Sequence, residues 1–407
     1  MLIFVIFEIL SVLAGIAALI FLGLYLLRRK SIRDAVKERG LYVPIIVFIF
    51  ALPVGFIANK TYPPNFAMPL FMHSHAPDKL PPSIPFAKII EFFKHGSRFE
   101  RITDIGADPN AVPNEPRRPD EDGIIRLKLT TREVISEIAP GIYFNYWTFD
   151  GQVPGPMLRV REGDRVEISL TNDVSSLHAH NIDLHAVTGP GGGAALTHVE
   201  PGETKAFTWK ALNPGLYIYH CAMPNVSTHN SHGQYGLILV ETKEGLEKVD
   251  KEFYVVQGEL YTAGQIGKKG LMVFDSEALV DGQPNYVTFN GKVETTPRMQ
   301  AKVGDKIRMY LGNGGVNLVS SFHIIGEIFD TVYPNASIGG ALEYNTQAAQ
   351  ILPGGASIVE FTVDVPGKYL LVDHALARMN KGAWAVLEVS GNENPDIFAP
   401  TVLKKLQ

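Results

Sequence analysis

Six side chains between positions 180 and 229, namely His180, Asp183, His185, His220, Cys221 and His229, combine type and spacing that could hold transition metals. His220 and Cys221 are adjacent, and neighbouring residues of a β-strand point to opposite faces, so each can serve a different metal centre. The segment His180-Asn-Ile-Asp-Leu-His185 repeats that split, because its two histidines also fall on opposite faces. One face then collects His180, Cys221 and His229, and the other collects His185 and His220. A soft thiolate with imidazoles suits copper, and two His, one Cys and a weak axial ligand make a trigonal blue-copper electron-transfer site. Cys221 is the only cysteine in the chain, so it forms no internal disulfide. A lone strand histidine is usually a hydrogen-bonded core or surface residue and a lone cysteine a small hydrophobe, but several matched positions weigh against that reading.

The 407 residues leave room for two or three domains, and 46% hydrophobic content hints at membrane segments. A net charge of -5 gives no reason to expect nucleic acid. The run from Ile3 to Leu27 is almost continuously apolar, broken by Glu8 and Ser11, and a second run extends from Leu41 to Ala58. Arg28, Arg29, Lys30, Arg33, Lys37 and Arg39 lie between them. Read together, these predict two transmembrane helices over 1–59, a basic cytoplasmic loop, and everything after Asn59 in the periplasm. Glu8, an ionisable group in the first span, is a candidate for quinol or proton handling, or simply reaches the interface.

Residues 60–125 read as a proline-rich connector, with Phe86, Ile89, Ile90 and Phe93 at helical spacing marking a short amphipathic helix. His73 and His75 within it read as surface residues. Short alternating strands follow, and the pattern occurs twice. TFDGQVPGPMLRVREGDRVEISLTN from Thr148 is echoed by TFNGKVETTPRMQAKVGDKIRMYLGN from Thr288, and PGETKAFTWKALNPGLY from Pro201 by PGGASIVEFTVDVPGKY from Pro353. The predicted fold is mainly β: two tandem Greek-key β-barrels, over 126–245 and 246–407, preceded by the transmembrane helices.

The repeat, with HNIDLHAVTG from His180, YHCA from Tyr219, FHIIG from Phe322 and VDHAL from Val372, resembles the copper-containing nitrite reductases. The resemblance spans residues 102 to 390 and implies two cupredoxin-like domains, one type 1 and one type 2 copper per subunit, and a homotrimer with type 2 copper at the subunit interface. It implies His180, Cys221 and His229 as type 1 ligands, and His185, His220 and an adjacent subunit's His374 as type 2 ligands. Asp183 and His323 are similar to the family's catalytic aspartate and histidine, and Ile325 to the apolar side chain shaping the nitrite pocket. Where the family usually has an axial methionine, this chain has Gln234, a harder amide ligand that favours copper(II) and lowers the reduction potential. His232 and Met223 are weaker contenders for that position; a surface role suits His232 better.

The resemblance implies reduction of nitrite to nitric oxide and water, and the two apolar runs, which lie outside it, make the protein a membrane-anchored, multi-pass inner-membrane one. Its donor is either quinol in the membrane lipid or a small cupredoxin or cytochrome. Two rivals stay open. A multicopper oxidase needs more paired histidines than this chain offers, His178-Ala-His180 being the only HxH pair in the barrels. A non-enzymatic tethered cupredoxin would use the type 1 site alone and make His323 and His374 dispensable.

Overall fold

The computed structural model describes residues 2–27, 42–43, 45–49, 99–293 and 298–401, which fall in two compact units. In the first unit Leu2–Leu27 forms a helix. Of the second apolar run, only 42–43 and 45–49 are described as helical. Among the described residues no helix is long and apolar enough to cross a membrane.

This overturns the expected transmembrane hairpin, and with it the calls that rested on it: two transmembrane helices in the fold, membrane anchoring, contact with membrane lipid, the inner-membrane location with periplasmic catalytic domains, and quinol as donor. The side chain of Glu8, His73, His75 and the amphipathic helix around Phe86 lie outside the described residues.

The second unit is mainly β. Period-two burial runs along Arg165–Asn172 and through the first half of Ile124–Ala139, as a half-buried strand requires. A six-stranded sheet built on Ile142–Phe149, Ile124–Ala139, Arg165–Asn172 and Thr204–Lys210 faces a four-stranded one of Leu158–Arg161, Tyr235–Glu241, Gly215–His220 and Asp183–Leu184. The pairing recurs further along. Ile124–Ala139 runs parallel to Arg165–Asn172, and Lys251–Leu260 runs parallel to Lys306–Asn313. Leu158–Arg161 runs parallel to Tyr235–Glu241, and Met299–Lys302 runs parallel to Trp384–Ser390.

Three apolar cores result, one inside each pair of sheets and one between the pairs. Tyr235–Glu241 is buried at every position, which follows from its place between two cores. Ile238 and Val240 point into the first barrel, while Tyr235, Leu237 and Leu239 point into the layer between barrels. The neighbouring strand Gly215–His220 is divided in the same way: Leu216 and Ile218 face the inter-barrel layer, Tyr219 and the following Cys221 the interior of the first barrel.

Charge joins the two barrels as well. Arg159 holds Glu241 at 2.5 Å and Glu252 at 2.9 Å, while Arg308 reaches the other oxygen of Glu252 at 3.2 Å and Glu360 at 2.6 Å. Both guanidiniums are buried, so each depends on its carboxylates rather than on water. Arg159→Met leaves Glu241, among the described residues, with the Arg161 guanidinium alone as an ion-pair partner, at 3.3 Å. It is expected to cost about 3 kcal/mol, read as a lower denaturation midpoint with unchanged slope; a loss under about 1 kcal/mol would place the network with ordinary surface pairs.

Candidate metal centres

Cys221 follows the end of its strand, facing the first barrel's core, and its Sγ lies 3.3 Å from Nδ1 of His229 and 4.0 Å from Nδ1 of His180. The two Nδ1 atoms are 3.3 Å apart, and Oε1 of Gln234 is 3.1 Å from that of His229. All four side chains are buried. His229 is delivered by the short helix Val226–Ser231, and Asn181 ties the loops together by donating its N–H to Cys221 Sγ at 3.5 Å and accepting from Ala222 N–H at 2.7 Å. The donor set fits copper: two imidazole nitrogens, a sulfur and an amide oxygen face one another at distances where their lone pairs repel unless a cation stands between them.

Burial pushes the Cys221 thiol up to about 12, against the N–H groups of Asn181 and Met223. Burial also lowers His180, partly offset by Glu133, and holds His229 well below the ordinary imidazole range. Before metal binds, the set is therefore a neutral thiol and two neutral imidazoles.

The second cluster lies on the other side of the same strand. Asp183, His185 and His220 bring one ligand atom each within 4.8 Å of one another. His185 and His220 meet through their Nε2 atoms at 3.0 Å, and Asp183 Oδ2 is 3.9 Å from Nε2 of His220, its cross-strand partner. His220 donates its Nδ1–H to the carbonyl of Cys221 at 3.0 Å, which leaves Nε2 with a free lone pair for a metal. His185 is lowered by burial and then by His220, opposed by Asp183 and by a hydrogen bond to the Gly354 backbone.

A glycine loop backs the carboxylate of Asp183. Gly191, Gly192 and Gly193 have φ of 66°, 54° and 105°, in the left-handed region that favours glycine. A Cβ at Gly192 would strike Oδ1 of Asp183, and one at Gly193 would strike the ring of Phe207.

His323 and His374 form a separate pair on the second barrel, rings 5.5 Å apart, with His374 exposed. His323 donates its Nδ1–H to the Gln347 carbonyl, and Ile325, two residues along the same strand face, is 46% exposed. The cluster the chain forms by itself contains Asp183, His185 and His220, while His374 stands beside His323. The expected homotrimer, with type 2 copper between subunits, is not supported: the described cluster is formed within one chain and His374 lies apart from it.

Three further findings, the first of them a correction, concern the surroundings of the first cluster. His232 is buried rather than on the surface, stacked on Trp147 at 4.2 Å and hydrogen-bonded to the Thr228 carbonyl, and burial lowers it to about 4. Met223 belongs to the first barrel's apolar core. The HxH pair is divided: His180 joins the metal cluster, while His178 binds Glu133 at 3.0 Å and lies tilted against Trp147 with ring centroids 4.3 Å apart. Glu133 and Trp147 are cross-strand partners and escaped the sequence reading. The signal for Glu133 was a carboxylate in the buried phase of the alternation that Ile125, Leu127, Leu129 and Thr131 set.

Paired cupredoxin-type barrels with a His-Cys-His cluster and a second His cluster joined through adjacent residues define a multicopper cupredoxin. Residues 135–245 match the family profile described as multicopper oxidase. Over 300 residues the chain is 52% identical to the copper-containing nitrite reductase of Neisseria gonorrhoeae, covering 72% of this chain and 76% of that one. It is 33% identical over 271 residues to that of Alcaligenes faecalis, covering 61% and 71%. Among solved structures, a copper nitrite reductase from Nitrosomonas europaea matches with a TM-score of 0.59 and 33% identity over 67% of this chain and 96% of that one. A multicopper oxidase matches with a TM-score of 0.59 and 28% identity over 70% and 98%. The chain belongs to the copper-containing nitrite reductases. It is a nitric-oxide-forming oxidoreductase with a type 1 and a type 2 copper site.

Loading the type 1 site must displace the thiol proton of Cys221, and neither imidazole has a proton to lose near neutrality. Apparent copper affinity is thus expected to rise about tenfold per pH unit from about pH 7 to 9, with one proton released per copper, measurable by dye-buffered titration. Affinity flat across that range would contradict a protonated thiol.

Proposed function

We propose that this enzyme divides nitrite reduction, NO2- + e- + 2H+ giving NO + H2O, between an electron-accepting cluster of His180, Cys221, His229 and Gln234 and a nitrite-binding cluster around His185 and His220. The observation that carries this reading is the peptide bond between His220 and Cys221, which gives each cluster one ligand from a single dipeptide. Copper, when bound, supplies a one-electron redox change at each cluster and an electrophile for the nitrite oxygens. The hydrogen bond from His220 Nδ1–H to the Cys221 carbonyl adds a second, shorter route beside the covalent one.

Asp183 is assigned the proton exchange beside the nitrite-binding cluster, its carboxylate held on one side by the bare backbone of Gly192 and on the other by His220. His323, whose Nδ1–H is committed to Gln347, keeps Nε2 for the second proton. Ile325 provides an apolar wall on the same face. His374, whose ring stands 5.5 Å from that of His323, is assigned to the same catalytic function.

Copper-loaded protein is expected to make nitric oxide from nitrite, and His374→Ala to abolish turnover while keeping the type 1 absorption. Unchanged turnover in that variant would favour the reading in which only the type 1 site works. Gln234→Met replaces an amide oxygen by a softer thioether and should raise the type 1 potential in a redox titration; a potential that does not move would show that Gln234 is no ligand.

A further inference from the structure

Glu133 is the buried charge that the mechanism above leaves unused. It is 1% exposed, on the strand Ile124–Ala139. One oxygen, Oε1, accepts the backbone N–H of Leu177 at 2.7 Å and of His178 at 2.9 Å, and the ring Nδ1–H of His178 at 3.0 Å. The same oxygen lies 3.7 Å from Nε2 of His180, on the edge of the ring opposite the Nδ1 that faces Cys221. The segment leading into His180 is thus wrapped around a single carboxylate oxygen. Oε2 is buried with no hydrogen-bond partner among the described residues, and the charge partners of the group are the two imidazoles. His178 and His180 together hold the carboxyl far below its ordinary range despite burial.

A buried negative charge one imidazole away from a metal favours the more positively charged oxidation state, because little solvent intervenes to screen it. At 3.7 Å, with Nε2 of His180 making no hydrogen bond among the described residues, the carboxylate acts on that ring through its charge. We propose that Glu133 is a positioning residue of the type 1 centre: its carboxylate holds the backbone leading into His180, faces the Nε2 edge of that imidazole and, through its charge, lowers the reduction potential of the copper bound there. The effect has the same sign as that assigned to Gln234. His178, 24% exposed and tilted against Trp147, separates this carboxylate from solvent. The inference rests on the type 1 assignment of His180, Cys221 and His229.

The test is the type 1 reduction potential of the copper-loaded full chain, followed through its visible absorption. Glu133→Gln keeps the shape and an oxygen acceptor for the two backbone N–H groups but removes the charge. It is expected to retain the absorption and to shift the balance between reduced and oxidised forms at least tenfold toward reduced, about 59 mV for a one-electron couple. A potential moved by less than half of that, or in the opposite direction, overturns the proposal. A purely structural role would lower copper retention or thermal stability and leave the potential in place. Should Glu133→Gln fail to fold, Glu133→Asp decides: withdrawing the charge by one methylene predicts a smaller positive shift, and no shift overturns the proposal. Wild-type protein that takes up copper without the thiolate absorption would instead remove the type 1 site itself, and the proposal with it.

Discussion

The alternation of side chains at one strand end governs this molecule. Leu216 and Ile218 must face the layer between barrels, while Tyr219 and Cys221 must face the first barrel's interior. A strand buried on both sides has no freedom to slip, because a shift of one residue would exchange every apolar side chain for its neighbour. His220 and Cys221 inherit that fixed register. Their separation into two metal environments is therefore a by-product of hydrophobic packing, maintained by apolar side chains distant from either site.

The two environments differ as their tasks do. The thiolate cluster is closed: four buried donors, an asparagine stitching two loops, and Trp147 packed between His178 and His232. Such a site changes charge without changing shape, which suits electron transfer. The second cluster is open, with His185 reaching the surface although its ring is partly desolvated, Asp183 half-buried, and a glycine loop that leaves the carboxylate uncrowded. That arrangement leaves room for a small anion and for protons to come and go.

The sequence was most legible where chemistry and alternation agreed. Cys221, His180 and His229 fall together, as do His185 and His220, because strand periodicity is local and the loops bearing them are short. Glu133 was illegible as a partner of His180 because the pair is made through a fold-level crossing of the strand Ile124–Ala139 over the loop at His178. His232 was misplaced for a related reason: its polarity suggested solvent, whereas stacking on Trp147 and the Thr228 carbonyl satisfies it inside. The run from Ile3 to Leu27 shows the opposite error. Apolar composition reports what a segment would rather bury, not which element buries it, and a hairpin was inferred where the described residues contain no membrane-crossing helix.

The doubly buried strand Tyr235–Glu241 bears on modularity. In sequence the first barrel looks like a transferable cassette carrying a whole blue-copper site. Yet Tyr235, Leu237 and Leu239 belong to a layer completed by Tyr254, Tyr310 and Ile358 of the second barrel. Excision would turn that layer into a continuous apolar surface of the kind that drives association. Gene fusion or fission at the junction between barrels would thus need new polar residues on this strand, next to Gln234, so the electron-transfer site and the independence of its domain cannot evolve separately.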